Sequence, residues 1–206
     1  VTPARVPRPA AGGDLAALCA EVARLATAAG EDAAEELASR LAHPSWYLRE
    51  RVVDALARRA GGAAGIARVL REGAWWARAS ACDVVARRGE GPLDDVLAAT
   101  LDPNVSLQKS AARALAALAA RGGTARVAAR VAALDAAHRR RVVARVGHQV
   151  PAWAPALEAE LAALPAAPAE PAPQVAPPEE EEVRALVRFR AWLRGSRAAP
   201  AREARG

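Results

Sequence analysis

Aromatic residues are scarce in this chain of 206 residues: they make up 3% of it, with one Phe and one Tyr, and methionine is absent. Strands draw on aromatic and β-branched side chains, so the scarcity argues against a β-sandwich or barrel. Only two cysteines occur, Cys19 and Cys82. They lie far apart on segments that read as helices, which fits neither a disulfide framework nor a CxxC metal site. No run approaches the ~18 to 20 uncharged apolar residues that span a bilayer. Val1 to Gly13 has no continuous apolar stretch, and the first one is broken by Asp14, Glu21 and Arg24, so no secretory signal is read. A soluble, cytoplasmic protein is the expectation.

Lysine is nearly missing as well. Lys109 is the only one, so the net charge of +6 and the pI near 10.7 come from arginine. This charge suits nucleic acid, an acidic protein or anionic lipid without choosing among them, and a GC-rich coding sequence accounts for the same bias. What is abundant is alanine, roughly 60 residues, the best helix former.

Three segments align without gaps: Trp46 to Leu56, Trp75 to Val85 and Val105 to Leu115, at offsets of 29 and 30 residues. A fainter copy, His138 to Val146, follows 31 residues later in the alignment. A period near 30 built from two helices predicts an all-α protein, a right-handed α-solenoid of about four helix pairs. The aligned blocks supply the second helices. The first helices read Glu31 to Ala42, Gly62 to Arg71, Gly91 to Leu101 and Gly123 to Leu134, punctuated by glycines and prolines. Leu48, Val52, Ala55 and Leu56 fall on one stripe. Helices Asp14 to Ala29 and Ala152 to Leu164 are expected to cover the two ends.

The predicted organisation is therefore a disordered arm over residues 1–13 and a helical repeat domain over 14–164. A Pro/Ala-rich linker over 165–178 with six prolines and an amphipathic helix and tail over 179–206 follow. In the tail, Val183, Leu186, Val187, Phe189 and Leu193 gather on one face and Trp192 adjoins it. A helix this short needs a partner to form stably. This chain's own repeats, another protein's groove or an anionic membrane surface would each serve.

The pairs Leu48-Arg49 with Ala55-Leu56, Ala77-Arg78 with Val84-Val85, and Leu107-Gln108 with Ala114-Leu115 resemble HEAT repeats. The likeness is to the short bacterial HEAT-like type also seen in phycobilin-lyase-related proteins, and it covers about residues 31 to 147. It implies that the motif arginine pairs with an acid in the preceding turn, as Glu72 would with Arg78, so that Arg49 and Arg78 are structural. Asp102 ahead of Gln108 and His43 ahead of Arg49 depart from that pattern.

Catalysis has little to rest on. None of His43, His138 and His148 is followed by Glu, so the paired ligands of the HEAT-repeat hydroxylases are missing. Cys82 shares a column with Val53, Ala112 and Val143, a core column. No catalytic, cofactor or metal site is expected. Trp46 and Trp75 share one column, Tyr47 and Trp76 the next, and Val105 and Ser106 continue them. These aromatics either seal the junction between repeats or form an exposed patch of the composition favoured at interface hot spots. Charge is uneven too: Asp14 to Glu36 holds six acids against Arg24, and Arg121 to His148 holds seven arginines against Asp135. Either these are solvated faces or the Arg139-Arg140-Arg141 end docks on an acidic surface.

The leading expectation is an adaptor or scaffold that binds one or more protein partners, within a larger complex, through the repeat surface and the tethered helix. Nucleic-acid binding through an arginine-rich face comes second, by likeness to the alkylpurine DNA glycosylases of HEAT-like build, whose carboxylate only Glu50 or Asp54 could supply. A tetrapyrrole lyase comes third, on the repeat resemblance alone.

Overall fold

The computed structural model describes residues 12–164, and it is all-helical there. The arm before residue 12 lies outside the described residues, as do the linker and the tail with Val183, Leu186, Val187, Phe189, Trp192 and Leu193. Ten helices follow one another: α1 (Gly12–Thr27), α2 (Glu31–Ser39), α3 (Trp46–Arg58), α4 (Ala63–Glu72) and α5 (Trp75–Arg88) come first. Then come α6 (Leu93–Thr100), α7 (Val105–Gly122), α8 (Thr124–Ala132), α9 (Ala136–Gln149) and α10 (Ala154–Ala163).

Helix starts follow local chemistry. Ser45, Asn104 and Asp135 cap α3, α7 and α9, each side chain accepting from a main-chain N–H of the first turn, which satisfies donors that the helix itself leaves orphaned. At the end of α5, Gly89 takes the left-handed conformation at φ +68° and donates to the Val85 carbonyl at 2.8 Å, an end that a residue with Cβ adopts only with strain.

The helices match the expected segments with differences at their ends. The segment Glu31 to Ala42 is α-helical only to Ser39 and closes as a 3-10 turn over Arg40–Ala42. Pro44 holds the preceding His43 in extended backbone at ψ 138°, since proline disfavours helical geometry at the residue before it. Helix α6 begins at Leu93 rather than Gly91, because Pro92 is its cap. Helix α1 begins at Gly12, ahead of the expected Asp14.

Packing follows a regular rule: α1, α3, α5, α7 and α9 each pack on the next in that order, as do α2, α4, α6, α8 and α10. The stripe Leu48, Val52 and Leu56 is fully buried between neighbours, while Ala55 is only half-buried. The alanine-rich composition sets how closely the helices approach. A Cβ built on Gly65 of α4 would lie 2.7 Å from Ala38 Cβ of α2, closer than two carbons tolerate. Carboxylates of α2 also reach the start of α4: the Gly62 and Gly65 N–H groups donate to Glu31 at 2.6 Å and Glu35 at 2.8 Å. Negative charge at a helix N-terminus is favourable.

Candidate interaction surface

Trp46, Trp75 and Val105 are the first residues of α3, α5 and α7. All three are exposed, at 71%, 45% and 53% of their surface, and Tyr47 is exposed at 40%. Among the described residues these four are the exposed large hydrophobic side chains. Their position explains the exposure, because side chains of the first turn stand beyond the buried stripe that starts at Leu48, Ala77 and Leu107.

Each tryptophan leans on the ring beside it. Trp46 meets Tyr47 edge-on at 6.1 Å between centroids, and Trp75 meets Trp76 in the same way at 5.7 Å, the geometry that aromatic quadrupoles favour. Trp76 is the inner member of its pair, half-buried and packed against the core. The Arg51 guanidinium lies 5.2 Å from the Tyr47 ring centre and donates to its hydroxyl at 2.8 Å. The two columns thus differ: the outer one is solvent-facing, and the inner one is part surface at Tyr47 and part core edge at Trp76.

The arginines sort differently from what their clustering suggests. In the motif column, Arg49 donates to the His43 and Pro44 carbonyls, each at 2.8 Å, and to Ser80 Oγ at 3.3 Å. Gln108 donates to the Asp102 carbonyl. Arg78 donates to the Leu70 carbonyl at 2.8 Å, and its acid is Asp102, at 2.6 Å, from the following helix pair. The pairing of Arg78 with Glu72 implied by the HEAT resemblance is therefore corrected: the partner comes from the turn ahead, not from the turn behind. Asp102 is less exposed than a surface acid and reaches Arg78 across the α4–α6 side of the packing.

Arg139 belongs to the same column and turns inward, donating to the Ala132 and Leu134 carbonyls at 3.1 and 3.2 Å. Its neighbour Arg140 is exposed, and Arg141 is exposed with a long contact of 3.4 Å to the Leu101 carbonyl. The three side chains thus have different surroundings, and the first serves the turn between α8 and α9.

A second group of arginines, unmarked by the repeat motif, sits at the ends of α3, α5 and α7. Arg59 donates to the Leu25 and Gly30 carbonyls at 2.5 and 2.8 Å. Arg88 donates to Leu56, Arg59 and Gly61 at 2.8, 2.9 and 2.9 Å. Arg121 donates to Arg88 at 3.1 Å and pairs with Glu90 at 3.6 Å. Each one reaches carbonyls at the end of the odd-numbered helix before its own, or in the turn after that end, where helical partners run out. Burial lowers the Arg88 pKa from its ordinary value, as it does that of Arg49. The recurrence of Arg59, Arg88 and Arg121 just after three successive apolar stripes was the available signal.

Glu50 and Asp54, the carboxylates that a glycosylase would need, are both held by Arg87 of α5. The hydrogen bond that Arg87 donates to Glu50 is the main reason its pKa is raised. Cys82 is fully buried beside Ala81 and Val84, and burial pushes its thiol up to about 12, which keeps it protonated and unreactive at neutral pH. Val53 and Ala112 of its column are buried too, and Val143 half so. Among the described residues no cluster of His, Cys, Asp and Glu is grouped to hold a metal ion, and no helix is long and apolar enough to cross a membrane. Comparison with protein families, curated proteins and solved structures finds no match to the chain.

Proposed function

We propose that this chain is an adaptor: a right-handed α-solenoid of four HEAT-like helix pairs, α2 with α3 through α8 with α9, with α1 and α10 as half-pairs at its ends. It works in the cytoplasm by holding protein partners on its surface, as part of a larger assembly. The successive packing of odd-numbered on odd-numbered helices, and even on even, supports the solenoid, because each repeat of such an array touches only its neighbours.

One observation carries the docking function: Trp46, Tyr47, Trp75 and Val105 lie at the starts of α3, α5 and α7, which pack in that order, and remain in solvent. Tryptophan and tyrosine are enriched at binding hot spots, and leaving such area in water is costly unless a partner covers it. The fate of the arginines supports a protein partner over nucleic acid. Much of the basic charge is engaged within the chain, on carbonyls by Arg49, Arg59, Arg88 and Arg139 and, at the surface, on acids by Arg68, Arg71, Arg87 and Arg113.

Affinity enrichment from native lysate with the wild type and with Trp46→Ala/Trp75→Ala tests this reading. Partners should be lost from the variant while its melting temperature stays close to wild type. A large melting loss, with the same proteins captured by the fraction that remains folded, sinks it. Nucleic-acid binding would instead show as a shift of duplex DNA that weakens steeply with log salt.

A further inference from the structure

The outer aromatic column has a period. Helices α3, α5 and α7 pack on one another in that order, and packed helices sit about 8–10 Å apart, so Trp46, Trp75 and Val105 recur along the stripe at about that spacing. The rings of each pair stand nearly perpendicular, at interplanar angles of 87° and 84°, so each of the first two positions presents a ring face beside a ring edge rather than a flat stack.

A polyproline II helix has three residues per turn and rises about 3.1 Å per residue, so prolines at i, i+3 and i+6 form an edge repeating about every 9 Å. Residues 165–171 read Pro-Ala-Ala-Pro-Ala-Glu-Pro, with Pro165, Pro168 and Pro171 at that spacing. The spacing of the prolines and the spacing of the stripe therefore agree. Aromatic notches that take successive proline turns are a general mode of peptide recognition, since the extended ligand is already ordered before it binds. Charge is compatible as well: residues 165–171 hold one glutamate, Glu170, and no basic residue, and four more glutamates follow at 179–182, in a chain whose net charge is +6.

We infer that the stripe of Trp46, Trp75 and Val105 is a polyproline-binding surface, and that its occupant is the Pro165–Pro171 segment of a second copy of this chain. The inference rests on the adaptor reading and names one partner for its docking stripe. The second copy follows from where the segment starts. The described chain leaves the repeats at Leu164, just past α10, which packs on α8 and α9, whereas the stripe runs along α3, α5 and α7, so a segment that starts one residue later would have to lie on the stripe from its first proline. A neighbouring molecule has no such constraint and offers all three prolines to all three positions.

Sedimentation equilibrium of the full chain over a range of concentrations tests this, with three proteins: wild type, Trp75→Ser and Pro168→Ala/Pro171→Ala. A synthetic peptide of residues 165–178 serves as competitor. Wild type should self-associate. Each variant should weaken the association at least tenfold, and excess peptide should dissociate the wild type while perturbing its tryptophan fluorescence. The proline variant leaves the stripe untouched, so it decides the matter even where Trp75→Ser perturbs folding. A wild type that stays monomeric at all concentrations overturns the inference, as does self-association that the proline substitutions and the peptide leave unchanged. If that happens while Trp46→Ala/Trp75→Ala still loses heterologous proteins in the lysate experiment, the adaptor reading stands and only the second-copy occupant falls.

Discussion

The Arg88 guanidinium donates to the main-chain carbonyl of Arg59 at 2.9 Å, and the Arg59 guanidinium makes the same kind of contact to Leu25 and Gly30 one repeat earlier. Arg121 extends the series by donating to the carbonyl of Arg88. Each arginine thus closes the end of the odd-numbered helix before its own, and Arg59 and Arg88 offer their own carbonyls to the next arginine. Alanine-rich helices bury little area per residue, and this chain of charged hydrogen bonds ties successive helix ends together where side-chain volume does not.

Arg88→Ala removes the charged donor from three carbonyls, of Leu56, Arg59 and Gly61, of which Leu56 keeps only the Arg59 N–H at 3.4 Å. Hydrogen bonds to a charged donor contribute about 1.5–3 kcal/mol, and removing one partner exposes the desolvation cost of the other. The expected outcome in chemical denaturation is a loss of about 2–3 kcal/mol. Arg88→Lys should recover only part of it, because an ammonium cannot present the planar fork that serves three acceptors. Equal stability of the alanine variant and wild type would mean that water replaces the guanidinium at no cost.

Gly65→Ala should destabilise the protein, although alanine is about 1 kcal/mol better than glycine inside a helix. The added methyl would sit 2.7 Å from Ala38 Cβ and 2.8 Å from Glu35 Oε2. Forcing apart α2 and α4 costs about 1–3 kcal/mol as overpacking, and thermal melting reads the net sign. Ala38→Gly in the same chain should recover part of the loss by removing the atom that clashes. A stabilised Gly65→Ala variant would show that the two helices separate freely.

Asp83 titrates against the fold. Burial raises its pKa, more than its hydrogen bond with Ser110 and the charge of Arg113 lower it. A carboxyl with a raised folded-state pKa binds its proton more tightly in the folded protein than in the unfolded chain. Its contribution to stability therefore falls as pH rises from the ordinary carboxylate value through the raised one, and the penalty is complete above it. Asp83→Asn should raise the melting temperature at pH 7 and lose that advantage below pH ~4, the ordinary range of an Asp carboxyl. A variant less stable than wild type at pH 7 would mean that the Asp83–Arg113 ion pair, 3.0 Å long, outweighs the burial cost.

The aromatic columns show how far the pattern reaches. That Trp46, Trp75 and Val105 are equivalent is legible in the alignment, because three residues at offsets of 29 and 30 must occupy one place in equivalent helices. Whether that place is core or surface is not legible, since a first-turn residue lies inside or outside according to how far the neighbouring helix overlaps it. Here the overlap starts two residues later, at Leu48, Ala77 and Leu107. The arginines are harder still. Arg139, Arg140 and Arg141 are chemically identical neighbours, and their different surroundings come from a rotation of about 100° per residue on α9 against the turn that Arg139 faces.

By itself the sequence determined what depends on short range: the helical class, through alanine and a buried stripe of period near 3.6; the helix ends, through Gly89, Pro92 and the caps Ser45, Asn104 and Asp135; and the burial of Cys82, through its column. Tertiary structure decided which charges are spent. Arg78 meets Asp102 at a separation of 24 residues, Arg88 meets Leu56 at 32 and Arg87 meets Glu50 at 37. A long arginine side chain reaches acceptors on either adjoining helix pair, so no local pattern names its partner. Only the packing of one helix on the next brings a single acid or carbonyl within hydrogen-bond distance and leaves Trp46 and Trp75 facing water.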